Sequence, residues 1–374
     1  MIPGPVEFEP AVLRAMGSPT TSHVAANFIE TFGTCLEQMR QVWMAPQGQP
    51  VILAGSGTLA MDVAGANLVE AGDRVLVLST GYFGDRFADL LARYGAEVTI
   101  LKAETGDVVP LEMVERALSE RQYKLLTFTH VDTSTAVRVD PAPIGRLGKS
   151  YGVLTVLDGV CSVAGEEIRQ DEWGIDVVLT ASQKAIGVPP GLALLVFSPR
   201  ALETFRTRRT RVGSYYSDLT HWLPIMESYE ARRPSYFATP AVNLVEALNV
   251  SLGLILKEGM ESRFARHRET GRFFRSELES MGLKQIPVSE EVAANTLSAP
   301  YFPTGINGSE FLRKVNDLGI ILAGGLLPEI KGTYFRIGHM GSVNRADSVA
   351  TIDAIRQALH STGFLPFSSG QPMR

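Results

Sequence analysis

Between Pro50 and Ser198 the chain alternates two kinds of segment. Short apolar runs, VILAGSGT, RVLVLSTG, EVTILKA, KLLTFTHVDTS, GVLTVLDGVCS, DVVLTASQK and LALLVFS, each end in small or polar residues. Between several of them lie amphipathic stretches such as PLEMVERALSER and APIGRLGKSYG. A near-continuous apolar run is a strand buried on both faces, and alternation with helices is how parallel strands are joined. The pattern therefore predicts an α/β fold built on a mainly parallel, seven-stranded sheet with helices on both faces. In open sheets of this kind ligands sit beyond the carboxyl ends of the strands. Those ends carry Ser56, Thr80, His130, Asp158 and the run Ser182 to Lys184, so polar chemistry collects where a site belongs.

A long helical pattern follows, AVNLVEALNVSLGLILKEGMESRFARHRETGRFFRSELESMG, and is expected to run unbroken into a final region. There LSAPYFP, EFLRKVNDLGIILAGG, YFRIGHMG and DSVATIDAIRQALHSTG read as a smaller α+β unit. The expected organisation is an N-terminal arm over residues 1–21, a large domain over 22–257 and a small C-terminal domain over 258–374.

Composition narrows the function classes. With 374 residues, 45% of them hydrophobic, the chain exceeds one small core. A net charge of −5 argues against nucleic acid or an anionic membrane as the main partner. The basic run Arg206 to Arg211 reads as a solvated surface segment. Cys35 and Cys161 lie far apart with no CxxC or Cys/His cluster, which indicates neither a disulfide framework nor a zinc site. The start lacks a signal-peptide pattern, no apolar run is long enough to span a membrane, and Pro372-Met373-Arg374 is not an SKL-type address. A soluble, cytoplasmic protein is the expectation.

Three strand-end features carry chemistry. The turn AGSGT opens a helix, so its exposed amides and the Ser56 and Thr58 hydroxyls suit a phosphate; a plain capped turn is the ordinary alternative. Its spacing matches neither a dinucleotide nor a Walker fingerprint, which disfavours a nicotinamide dehydrogenase. Asp158 closes an apolar strand and is either a turn carboxylate or the partner of a buried cation. Lys184 ends the next strand, before a rigid Pro-Pro-Gly turn, and is either solvated or an amine set into a site. Together a phosphate cradle, a carboxylate and a lysine are the three anchors of pyridoxal 5'-phosphate: phosphate, ring nitrogen and Schiff base.

PGP at Pro3, GSGT at Gly55, THVDTST at Thr129, LDGVCS at Leu157, SQKA with PPG, YFATP at Tyr236 and RIGHMG at Arg336 occur in that order. In these motifs the chain resembles, almost end to end, the class V, fold-type I aminotransferases, and within them the group of the alanine–glyoxylate and serine–pyruvate enzymes. The resemblance implies Lys184 as the Schiff-base lysine, Asp158 on the pyridine N–H, and Gln183 with Ser56, Gly57 and Thr58 around the phosphate. It implies Phe83 as the ring over the cofactor and Thr133 as the hydroxyl near its O3′. Tyr236 and Thr239 would reach the phosphate of a neighbouring subunit, which makes a homodimer with shared sites. Arg336 would grip the substrate carboxylate, and Gly4 would line the substrate pocket.

The implied activity moves the amino group of L-alanine to glyoxylate, giving pyruvate and glycine, with small amino and oxo acids as substrates and neither nucleic acid nor membrane as a partner. Serine–pyruvate or serine–glyoxylate transfer, or a lyase on the same fold, are the alternatives. Phe83 stands where animal relatives use Trp, Thr58 where His is frequent, Gly159 where a small side chain is common, and Ala26-Asn27 where Pro-Glu is expected. His130 and His339 read as structural. Cys161, three residues past Asp158, would suit desulfurase chemistry on a mobile loop, but its place beside a cofactor anchor reads as packing.

Overall fold

The seven runs form one sheet, and burial on both faces explains why the central ones are apolar throughout. The computed structural model describes residues 1–364; the terminal Pro372-Met373-Arg374 lies outside the described residues. The strands are β1 (Gln49–Ala54), β2 (Arg74–Ser79), β3 (Glu97–Lys102), β4 (Leu125–Thr129), β5 (Leu154–Asp158), β6 (Val177–Ala181) and β7 (Leu192–Phe197). Their spatial order is β1-β7-β6-β5-β4-β2-β3. β7 runs antiparallel to both of its neighbours, and the β6-β5-β4-β2-β3 pairings are parallel. Every residue of β4 to β7 is buried, whereas edge strand β3 is half exposed, as its mixed sequence EVTILK requires.

Helices Gly57–Leu68, Tyr82–Arg93, Leu111–Glu120 and Pro141–Ser150 occupy the intervals between strands. Because β1, β2, β4, β5 and β6 all point the same way, Ala54, Ser79, Thr129, Asp158 and Ala181 finish at one edge of the sheet. That edge is where the site forms.

The expected unbroken helix is two. Val242–Glu258 stops at Gly259, whose φ of +84° a side chain would resist, and Met260–Ser280 starts immediately after it. Apolar periodicity crosses the break because each helix buries a face of its own. Beyond it, Phe274, Leu278, Phe311, Phe335, Ile337, Ile355 and Leu359 make a second, smaller core. This core lies with a three-stranded antiparallel sheet in the order β8 (Leu297–Ser298), β10 (Phe335–Gly338), β9 (Ala323–Gly324), and with helices Gly308–Asp317 and Arg345–Ser361. The last of these starts at a capping box, with the Asn344 side chain on the Ala346 and Asp347 amides and Asp347 reaching back.

The first residues of the chain cross between the two cores. The Gly338 amide donates to Met1 O at 2.9 Å, and the Val6 amide donates to Gln183 O at 3.1 Å. The arm also contains a short helix, Pro10–Met16, fixed by Asn243 Nδ2 on Met16 O and Ser18 O.

Candidate active site

Lys184 sits at the tip of the loop between β6 and β7, and the loop is closed by its own sequence. Ser182 Oγ donates to Pro189 O at 2.8 Å and accepts the Leu192 amide at 3.2 Å, while the Val188 amide returns to Ser182 O. The Pro-Pro-Gly turn also meets the glycine-rich turn, because the Gly55 amide donates to Gly191 O at 2.8 Å. Two motifs distant in sequence are thereby hydrogen-bonded neighbours. From behind, Arg263 Nη2 donates to Ala185 O at 2.8 Å and Ser251 Oγ donates to Ile186 O. The lysine side chain is 8% exposed, and its Nζ donates to Pro3 O in the N-terminal arm. Burial lowers its pKa, and the nearby Arg336 charge adds to that effect.

Asp158 is the last residue of β5 and accepts the Val160 amide on Oδ1 at 3.0 Å. It is buried, and desolvation pushes its pKa up to about 7, with the like charge of Asp132 acting in the same direction. Val160 supplies one donor only, so a cationic N–H arriving at this carboxylate would find an acceptor held in place.

The helix Gly57–Leu68 begins beside these groups. Its first hydrogen bond, Ala60 N–H to Ser56 O at 3.0 Å, leaves the amides of Gly57, Thr58 and Leu59 without a helix partner. Ser56, the N-cap, makes no side-chain cap bond. A Cβ on Gly57 would lie 2.8 Å from Val160 Cγ2, so the backbone approaches the wall as only glycine allows. Gln183 Oε1 and Thr129 Oγ1 are buried with no partner among the described residues.

Gly4, Ser56, Gly57, Thr58, Phe83, Thr133, Asp158, Gln183 and Lys184 line one cavity of about 240 Å³. Met61, Arg86, Thr129, Val131, Val160 and Cys161 complete its wall. Arg336 is not on that wall, but its Nη1 donates to Thr133 O at 3.1 Å and its Nε to Gly324 O at 2.8 Å, which places the guanidinium beside a residue of the wall. Tyr236 and Thr239 stand apart from the cavity, exposed, with the Tyr236 ring 5.2 Å from that of His23. Of the site residues the resemblance implied, Arg336 lies beside the cavity and Tyr236 and Thr239 stand away from it.

Three contributors escaped the sequence. Arg86 reaches the cavity from a helix face that carries no motif of its own, and Thr129 from the strand end that opens THVDTST, where only Thr133 was singled out. Asp132, inside THVDTST, is fully buried and holds two turns of the site together. The histidines take no part in the cavity wall. His267 accepts the Gly341 amide on Nε2 and holds Arg263 O with Nδ1, and His339 stacks on Phe274 with Nε2 against Ser298 Oγ. Burial drops the pKa of His130 and of His339 to about 3, so both are neutral. Cys161 is buried, and burial raises its thiol pKa. Among the described residues no cluster of three or more His, Cys, Asp or Glu could hold a metal, and no helix is long and apolar enough to cross a membrane.

Comparison with known proteins agrees with this architecture. The family model "Aminotransferase class-V" matches residues 11–329. Alanine–glyoxylate aminotransferase 1 of Saccharomyces cerevisiae is 41% identical over 355 residues, 91% of either chain. Serine–glyoxylate aminotransferase of Arabidopsis thaliana is 30% identical, covering 97% of this chain and 90% of its own. The crystal structure of alanine–glyoxylate aminotransferase from Nostoc sp. superposes with a TM-score of 0.91 at 33% identity, over 96% of this chain and 94% of that one. With a matching family model, relatives aligned almost end to end and the same α/β scaffold, this chain belongs to the class-V aminotransferase family.

Proposed function

We propose that the cavity holds pyridoxal 5'-phosphate and that the enzyme transfers the amino group of L-alanine to glyoxylate, yielding pyruvate and glycine. One observation carries this: a desolvated lysine, a buried carboxylate and unpartnered helix-start amides line the same small cavity. The residues fit the cofactor's parts. Gly57 and Thr58 N–H, with the Ser56 and Thr58 hydroxyls and Gln183, suit the phosphate; Asp158 suits the ring N–H; Thr133 suits the ring hydroxyl; Phe83 offers a face for stacking. When bound, the cofactor supplies an aldehyde that captures amines and a ring that withdraws electrons from Cα.

The chain's own residues do the rest. Lys184, its pKa lowered, carries a neutral amine more readily than an ordinary lysine, so Nζ can take the substrate's Cα proton and later return one. Asp158 keeps a proton on the ring nitrogen by holding its charge in a buried place. Arg336, braced on Thr133 O and Gly324 O, presents its remaining edge to the substrate carboxylate. The N-terminal arm covers Lys184 and keeps water from the amine.

The yeast relative's name favours alanine as donor and glyoxylate as acceptor, and the Arabidopsis relative's name keeps serine as a second donor to test. A homodimer accounts for Tyr236 and Thr239, exposed here and carried to a neighbour's phosphate in the family pattern. Mixing the cofactor-loaded protein with single amino acids and following the cofactor's colour tests the donor; adding single oxo acids to the discharged enzyme tests the acceptor. L-Alanine should discharge the colour and glyoxylate restore it. Serine discharging it while alanine leaves it unchanged would overturn the donor.

A further inference from the structure

We propose that Asp132 is a positioning residue for this chemistry: its carboxylate locks the turn bearing Phe83 to the turn bearing Thr133 and, through Thr133, to Arg336. The inference rests on the cofactor reading above. Asp132 does not line the cavity, but its oxygens are divided between two segments that do. Oδ2 accepts the Phe83 amide at 3.0 Å and the Gly84 amide at 3.4 Å; Oδ1 accepts the Ser134 amide at 2.9 Å and Ser134 Oγ at 2.6 Å. Ser134 Oγ in turn accepts the Tyr82 amide at 3.0 Å, and Thr135 Oγ1 donates to Thr80 O at 3.1 Å. The seam is closed, since a Cβ on Gly81 would lie 2.5 Å from Ser134 Oγ and 2.7 Å from Asp132 Cγ.

The same turn is gripped from the other side by Tyr334, in the segment that leads into β10. Tyr334 Oη donates to Ser134 O at 2.6 Å and accepts the Leu326 and Leu327 amides at 2.8 Å each, beside the Arg336 bond to Thr133 O. Asp132 therefore sits at the joint between the stacking ring and the substrate arginine. Four donors converge on it, and a carboxylate is acceptor-only, so it alone satisfies all four. An asparagine whose oxygen stays with the Ser134 amide and hydroxyl sets its NH₂ against the Phe83 and Gly84 amides, donor facing donor.

The test compares wild type, Asp132→Asn and Ser134→Ala as full chains reconstituted with pyridoxal phosphate. D132N should bind the cofactor and both substrates about tenfold or more weakly, the loss expected of one broken buried hydrogen-bond pair. Its bound cofactor should lose visible circular dichroism. Without cofactor, its Phe83 and Gly84 amides should exchange hydrogen faster while those of β4 to β6 do not. S134A should move every readout in the same direction by less. A D132N protein whose melting point falls while cofactor and substrate constants stay within about twofold would reduce Asp132 to a stabiliser of the fold and overturn the proposal. If D132N does not fold, S134A decides, and unchanged constants there overturn it equally. Failure of the cofactor reading looks different: wild type itself would take up no pyridoxal phosphate.

Discussion

Gly4 lies so close to Lys184 that a Cβ on it would sit 2.6 Å from the lysine Cδ and 2.8 Å from its Cε. The glycine also has φ +104°, a conformation that L side chains rarely adopt. Gly4→Ala must therefore shift either the arm or the lysine. Strain of this kind costs about 1–3 kcal/mol, so kcat/KM should fall roughly tenfold or more. The melting point should fall by only a few degrees, because the strained contact is local to Gly4 and Lys184 while the core contacts of Val12 and Met1 are kept. Steady-state kinetics beside a thermal melt checks this, and an unaltered kcat/KM would show that the arm does not constrain the lysine.

Asp158 makes a pH-dependent prediction for the cofactor-free protein. Its pKa in the fold, about 7, is above the ordinary value of 3.8 because it is buried. The stability it lends is complete below 3.8 and is lost as the pH rises through 7. Asp158→Asn removes that loss while keeping an acceptor for the Val160 amide. The variant should match wild type near pH 4 and exceed it at pH 8, by on the order of 4 kcal/mol. Denaturant titrations across this range read the gap. With pyridoxal phosphate added at pH 8 the order should narrow or reverse, because only the carboxylate gains a cationic partner. A gap that does not vary with pH contradicts the desolvation argument.

Arg336 spends two donors on backbone carbonyls, so one edge of the fork is left for the proposed substrate carboxylate. Lysine has neither the fork nor the bracing. Arg336→Lys should raise KM for amino donor and oxo acid about 10–100-fold, the worth of a charge-assisted bidentate contact. Cofactor affinity should stay close to wild type. Equal losses in cofactor affinity and KM would mean that the arginine supports the fold of the pocket rather than the substrate.

Cys161 separates transfer from sulfur chemistry. Burial raises its thiol pKa and so keeps it from being the thiolate that a desulfurase needs. Cys161→Ala should retain transamination within about threefold, since loss of one buried sulfur alters packing more than charge. Wild type given L-cysteine should form no persulfide on residue 161, and mass spectrometry that finds one would revive the alternative.

Six of the seven strands were legible as apolar runs and edge strand β3 by its place in the alternation, and the candidate anchors because they end such runs. Lys184 and Asp158 need only their own strand to be placed. The break at Gly259 was missed because the apolar pattern continues through it, although KEGME carries the glycine that makes it. Asp132 could not be ranked from the sequence, since its importance lies in amides of Phe83 and Gly84 some fifty positions away. Arg86 lies on a helix face that is polar in any case, so nothing local marks it as facing a cavity. Tyr236 and Thr239 came from the family motif alone, and a single chain leaves them exposed.

The most direct measurement is borohydride reduction of the protein saturated with pyridoxal phosphate, followed by peptide mapping. A single pyridoxyl label on the peptide containing Ser182-Gln183-Lys184, at the lysine, is the predicted result, and prior incubation with L-alanine should abolish it. A label on another lysine, or none on protein that holds its full complement of cofactor, would contradict the assignment of Lys184 and the site built around it.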